Sequence, residues 1–257
     1  MQLSMLNPSS LALILEILEI LAVLAAIGAL LYWLLVVTEG AYFGRRVVVF
    51  LYDRFAARYD GVKQYDPRSD AFHLTAPLLA HNRTGRVLDV ATGTGRLPAA
   101  LMAASSFRGR VDAVDASAAM LAIARKKFHA EIRVRLHRAD AAHLPFPDST
   151  FTAVTCLEAL EFMPHRSAAL AELLRVLRPG GLLLISNRIG PDAWKLPGRA
   201  ITSARLATEL TALGAQHLER RDWLIDYDLL MAQKPMETTS HAGDSAGPAH
   251  AAAAALH

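Results

Sequence analysis

Between Arg86 and Leu101 the chain reads RVLDVATGTGRLPAAL: a short β-branched run, an acidic residue near its end, and a loop with Gly93 and Gly95 that opens a helix. Glycines there remove side chains where a ligand must lie against backbone, and they adopt φ values closed to other residues. The helix start presents unpaired N–H groups to an anionic group. A dinucleotide site requires G-x-G-x-x-G/A; the third small position is Pro98 here, so that fingerprint fails. What stands instead is D-x-A-x-G-x-G, with Asp89 ahead of the glycines. A carboxylate at that place can hold an ammonium, which a pyrophosphate lacks, and so points to a ligand with an amino acid moiety.

The next loop, VDAVDASAAML, ends its strand at Asp115. A carboxylate there can accept both hydroxyls of a ribose; it can equally cap the following helix, a role Ser117 could also take. Further on, CLEALEFMPH carries Glu158, Glu161 and His165 as weak candidates for acid/base work, each with an alternative as a helix-start or surface residue. Asp148 is read as a turn residue. No histidine pair has metal-ligating spacing, and the single cysteine, Cys156, excludes an internal disulfide or a multi-thiolate site. No metal is expected.

These loops need a scaffold. Strands are predicted near Arg86–Val90, Arg110–Val114, Ile132–His137, Phe151–Cys156 and Leu182–Asn187, with a closing pair near His217–Leu224 and Asp228–Gln233. Helices fall near Leu97–Ala104, Ala118–Phe128, Ser167–Leu177 and Ser203–Leu213. That alternation predicts an α/β domain, a parallel sheet with helices on both faces. Ligands then bind beyond the carboxyl ends of the strands, where the order reverses.

The motifs, in this order, resemble the class I S-adenosylmethionine-dependent methyltransferases, and among them the group that includes the ubiquinone/menaquinone C-methyltransferases. The resemblance spans about Tyr52 to Pro235. It implies a Rossmann-like, mostly parallel seven-stranded sheet and S-adenosyl-L-methionine as cofactor. In similar enzymes the acidic residue of the first loop, here Asp89, contacts the methionine portion beside Ala91, Gly93 and Gly95. Asp115 would take the ribose, Ala116 and Met120 would flank the adenine, Asp140 would accept from its amino group, and the Ala141 backbone would lie beside the ring. Ala91 stands where many members have glycine. Tyr52 and Tyr59 match the helix that covers the cofactor, or are ordinary packing of an amphipathic helix. The segment ELLRVLRPGGLLLISN is the family's helix–turn–strand, with a structural tight turn at Arg178–Gly181. The Asn/Asp-Pro-Pro-aromatic signature of enzymes acting on nucleic-acid bases or glutamine is missing. A sulfonium methyl is already activated, so transfer needs mainly positioning, and a general base is not always required.

The N-terminal part is of another kind. From Leu11 to Val37 the chain is apolar except for Glu16 and Glu19; Ile20–Val37 alone would make about 27 Å of helix, close to the hydrocarbon thickness of a bilayer. A transmembrane helix over residues 11–37 is the favoured reading over a buried core helix. A cleaved signal peptide fits worse: the first ten residues hold no Lys or Arg, the run is too long, and no clear cleavage site follows. Arg45, Arg46, Arg54, Arg58 and Lys63 follow the helix and none precedes it. The expectation is a single-pass anchor in the cell membrane, N-terminus outside and domain cytoplasmic. Glu16 and Glu19 lie at headgroup level or face a partner; Glu19, Ala22, Ala26 and Ala29 share one face that would allow close helix approach.

The expected organisation is a short segment (1–10), the anchor (11–37), a juxtamembrane cap helix (38–60), the methyltransferase domain (61–235) and a disordered Gly/Ala-rich tail (236–257). Hydrophobic residues make up 53% of the chain, which excludes global disorder. The net charge of +3 and the cluster Arg125, Lys126, Lys127, Arg133, Arg135 and Arg138 lack the interleaved aromatics of a nucleic-acid surface, and Arg133 and Arg135 suit protection of a sheet edge. The juxtamembrane arginines suit an anionic leaflet. The leading expectation is a membrane-anchored methyltransferase for a small or lipophilic acceptor, quinone- or lipid-like. The alternatives are a methyltransferase-like accessory subunit of a membrane complex and an enzyme modifying a protein partner.

Overall fold

The computed structural model describes residues 7–236; the expected tail lies outside the described residues beyond Met236. The first helix, α1 (Pro8–Tyr32), is capped by Asn7, whose side chain accepts from the Ser9 N–H, and continues as a π-helical turn through Trp33–Val37. Its Leu, Ile, Val and Ala side chains are exposed all round; Ile20 is 60% exposed. Apolar all round with no protein against it, α1 has the character of a helix made for a nonaqueous surrounding. The stretch Ser9–Val37 is long and apolar enough to cross a membrane, with a mean hydropathy of 2.7.

The chain then turns at Gly40 and Gly44, both at positive φ, around a 3-10 turn at Ala41–Phe43. A Cβ on Gly40 would come 2.8 Å from Leu51, so only glycine lets the turn pack this closely. Helix α2 (Arg45–Lys63) follows, then α3 (Pro67–Asp70), a π-helical turn at Ala71–Thr75 and α4 (Ala76–His81).

The domain proper alternates as expected: β1 (Arg86–Val90), α5 (Arg96–Ala103), β2 (Arg110–Asp115), α6 (Ala118–Lys127), β3 (Val134–Arg138), β4 (Phe151–Cys156), α7 (Arg166–Val176), β5 (Leu177–Arg188), α8 (Gly190–Trp194), α9 (Ser203–Ala212), β6 (Gln216–Leu224) and β7 (Tyr227–Gln233). The seven strands form one sheet in the order β3-β2-β1-β4-β5-β7-β6. Strands β1 to β5 pair in parallel; β7 runs antiparallel between β5 and β6. This is the Rossmann-like, mostly parallel architecture expected from the motifs.

Alternation along the strands splits the core in two. Leu183 and Ile185 of β5 face Leu170, Leu173, Leu206 and Leu210 of α7 and α9, while Leu182 and Leu184 face the side holding Leu74, Leu78, Leu97 and Leu101. Burying each such side chain contributes about 1.5–3 kcal/mol. Strand β3 starts at Val134 rather than Ile132, which is 90% exposed. As an edge strand it carries Arg135 and Arg138, a defence against sticking to another sheet. The turn expected at Arg178–Gly181 is an excursion within β5: the register with β4 jumps from Phe151–Leu177 to Ala153–Leu182, and Gly180, at φ 73°, donates its N–H to Lys234 O.

Candidate active site

Strand order reverses between β1 and β4, and a cleft of about 790 Å³ opens there at the carboxyl ends. That is within the range of sites for a drug-sized ligand. Its floor is the end of β1 and the loop after it. In register with Asp89 on β4 stands Thr155, whose hydroxyl donates to Asp89 Oδ1 at 2.6 Å. Asp89 is only 3% exposed, and burial pushes its carboxyl up to about 6 against the opposing bond from Thr155. Asp89 borders a small side pocket with Tyr65, Thr92 and Arg96, which shares Tyr59, Ala91 and Glu158 with the main cleft.

The two glycines do different work. Gly93, at φ 56°, donates its N–H to Asp115 Oδ2 at 2.8 Å; a Cβ there would touch the Tyr59 ring at 3.6 Å, inside the cleft. Gly95, at φ 89°, backs onto Phe128, which a Cβ would meet at 2.4 Å. It belongs to the packing behind the loop and does not line the cleft.

Asp115 also accepts from the Ser117 N–H at 2.8 Å, so its carboxylate ties the first and second loops together. Burial raises its pKa. The helix cap is Ser117, whose Oγ accepts from Met120 N–H. A second group joins it that the sequence did not single out: Asp53 of α2 accepts from the Ser117 hydroxyl and the Ala119 N–H. Ala116 and Ala141 line the cleft, whereas Met120 is 1% exposed and lies in the core beneath. Asp140 lines the cleft, with one oxygen on the Ala142 N–H and the other 3.1 Å from Arg45.

Helix α2 forms the opposite wall through Arg45, Val48, Val49, Tyr52 and Tyr59. The Tyr52 hydroxyl donates to Glu39 at 2.6 Å, and burial followed by that carboxylate raises its pKa well above the usual phenol value. Of the three acid/base candidates only Glu158 lines the cleft. It sits at φ 50°, bound by Lys63 at 2.5 Å and by Arg96 at 2.6 Å. Arg96 is in turn gripped by Asp70 and sandwiched between the Tyr65 and Trp223 rings. Glu161 is held by Arg188 at 2.7 Å and Tyr227 at 2.5 Å, away from the cleft lining. His165 is exposed and borders a separate depression with Arg166 and Arg199. Cys156 is fully buried, and burial raises its thiol pKa, which makes it a core residue and not a nucleophile.

Electrostatically, the groups that bond Asp89 and Asp115 in this cleft are neutral hydroxyl and amide groups. Two buried carboxylates without a bonded cation favour a ligand carrying positive charge. A ligand with an ammonium and a sulfonium fits that field, and the cradle at Gly93 leaves room for it.

Comparison with known proteins agrees. Residues 87–181 match the family model described as a methyltransferase domain. The ubiquinone/menaquinone biosynthesis C-methyltransferase of Stutzerimonas stutzeri (strain A1501) is 36% identical over 146 residues, covering 54% of this chain and 56% of the relative. The demethylmenaquinone methyltransferase of Lactiplantibacillus plantarum is 34% identical over 148 residues, covering 55% and 62%. The chain thus spans little more than half the length of these curated relatives. Among solved structures, the [4+2]-cyclase SpnF aligns with a TM-score of 0.60 at 23% identity, over 75% of this chain and 97% of that one. Phosphoethanolamine N-methyltransferase 2 of Haemonchus contortus, in complex with S-adenosyl-L-methionine, aligns at 0.54 and 19% identity over 63% and 52%. At those identities the structural matches speak to fold alone. Motif, family match and fold together define a domain of the class I S-adenosylmethionine-dependent methyltransferase type.

Proposed function

We propose that this chain is a membrane-anchored S-adenosylmethionine-dependent methyltransferase acting on a small lipophilic acceptor, quinone- or lipid-like. The observation that carries the reading is the cleft itself: buried Asp89 and Asp115 without bonded cations at one end, and apolar Val48, Val49, Phe162 and Met163 at the other. The polar end suits the cofactor and the apolar end suits the acceptor. The quinone-related names of the curated relatives support that acceptor class.

S-adenosylmethionine would be held by Asp89, Gly93, Asp115 and Asp140, and it would supply an activated methyl group. The chain's own residues bind and orient. Tyr52 and Tyr59 close one wall and exclude water, and the ion pairs of Glu158 fix the loop after β4. In-line transfer draws most of its acceleration from such positioning. Helix α1 would span the bilayer with the basic flank and domain on the cytoplasmic side.

A second reading, a cofactor-binding accessory subunit, is favoured by the engagement of Glu158 and Glu161 in ion pairs, which leaves no unpaired carboxylate base among these candidates. The separating experiment incubates the full-length protein in membranes with methyl-labelled cofactor. Label recovered in the lipid-soluble fraction supports the enzyme; cofactor binding with no transfer, together with fixed-ratio co-purification with a membrane complex, supports the subunit.

A further inference from the structure

We propose that the segment after β5, around Trp194, lies in the membrane interface beside α1, so that the domain rests on an anionic lipid surface instead of hanging from a free tether. This rests on the reading of α1 as a membrane span.

Three observations carry it. First, the segment is fastened to the base of α1. Trp33, at the end of the apolar helix, stacks on Tyr42 with ring centroids 5.6 Å apart, and the Tyr42 hydroxyl donates to Pro197 O at 2.8 Å. Leu196, 1% exposed, completes a small core with Ala41, Val48 and Phe162. Trp33 and Tyr42 are of the type that sits at headgroup level, so Pro197 is held close to that depth. Trp194 is three residues away, which limits its distance from Pro197 to about 11 Å along the chain.

Second, Trp194 is 81% exposed, and Phe43 and Phe50, beside the same junction, are 46% and 60% exposed. Large aromatics left in the open at the foot of an apolar helix match the interfacial role of Trp and Phe. Third, the charges around the junction are weighted to one sign: Arg45, Arg46, Lys195 and Arg199 stand against Glu39 and Asp192. The Arg199 guanidinium lies over the Tyr42 ring at 5.8 Å, and Lys195 is half exposed. Each basic side chain near an anionic leaflet adds about 1 kcal/mol of attraction. In this pose the mouth of the cleft, bordered by Arg45 and Val49, opens at the bilayer surface.

The test uses full-length protein in vesicles of phosphatidylcholine and phosphatidylglycerol, with part of the phosphatidylcholine brominated near the carbonyl end of its chains. Bromine quenches tryptophan only at close range, and the chain has three tryptophans. Emission loss is compared among the parent protein, Trp194→Phe and Trp33→Phe. The expected result is a smaller loss in each variant than in the parent, with the Trp194 share falling when phosphatidylglycerol is omitted. If Trp33→Phe reduces the loss but Trp194→Phe leaves it unchanged, the interfacial segment is overturned while the membrane span stands. If the parent shows no loss, the span is overturned and the interfacial segment with it.

Discussion

The Arg45 guanidinium and the Asp140 carboxylate meet 3.1 Å apart, joining the first residue of α2 to the loop after β3 across the cleft. The pair links the segment that leaves α1 to a residue that the family resemblance assigns to adenine. Both side chains are well exposed, so the link itself contributes under about 1 kcal/mol to stability. Arg45→Ala is therefore expected to leave the urea midpoint nearly unchanged. It should tighten cofactor binding, because Asp140 no longer has to leave a partner. Weaker binding by calorimetry would instead make Arg45 part of the cofactor site.

Asp115 ties Gly93 and Ser117 together and faces the cleft. Asp115→Ala should cost about 1–3 kcal/mol of cofactor affinity through loss of a buried charge-assisted hydrogen bond. Unaltered affinity would remove Asp115 from the site.

The two glycines give contrasting variants. Gly95→Ala combines a φ of 89° with a Cβ 2.4 Å from the Phe128 ring, so it should destabilise the fold by more than about 1 kcal/mol. Gly93→Ala meets only the Tyr59 ring at 3.6 Å and faces the cleft, so its loss of cofactor affinity should exceed that of Gly95→Ala once both are compared as folded protein. Denaturant melts and calorimetry on the same samples read the two effects separately.

The pH response follows from Asp89. Its folded carboxyl, pushed up to about 6 by burial, lies above the value of about 3.8 that it has when exposed. A raised carboxyl favours folding when protonated, so its contribution is complete below about pH 4 and is lost as pH rises through 6. The full difference is about 3 kcal/mol at roughly 1.4 kcal/mol for each unit. Asp89→Asn should thus be more stable than the parent at pH 8 and close to it at pH 4, measured without cofactor. Cofactor affinity of the parent should fall below pH 6, where the carboxylate that would hold an ammonium takes up a proton.

Removing residues 1–37 should leave the domain in the soluble fraction with cofactor binding intact, since α1 packs on nothing in the described structure. Removing 1–44 should destabilise it further, because Glu39, Ala41 and Tyr42 contact α2 and the segment after β5. Sedimentation of lysate fractions and thermal melts check both.

Much of the fold was legible because its signals are local. β-branched runs, the Asp89–Gly95 loop and the Ser117 cap act within a few residues, so β1, β2, β4 and the four long domain helices lie where patterning puts them. What escaped depends on contacts between distant segments. Lys63 meets Glu158 across 95 positions, Asp53 reaches Ser117 across 64, and Glu39 owes its bond with Tyr52 to turns at Gly40 and Gly44. Met120 and Gly95 illustrate the converse: they belong to the right motifs, yet helix packing turns one into the core and the other against Phe128. The sheet order turns a linear list of acids into the pairing of Asp89 with Thr155 and of Asp115 with Gly93.

Titration calorimetry of the full-length protein, in detergent at pH 7.5, with S-adenosylmethionine and in parallel with NAD, tests the central claim most directly. The account predicts saturable one-to-one heat with S-adenosylmethionine, abolished or strongly weakened by Asp89→Asn and Asp115→Ala, and none with NAD. Heat with NAD alone, or S-adenosylmethionine binding untouched by both substitutions, would contradict it.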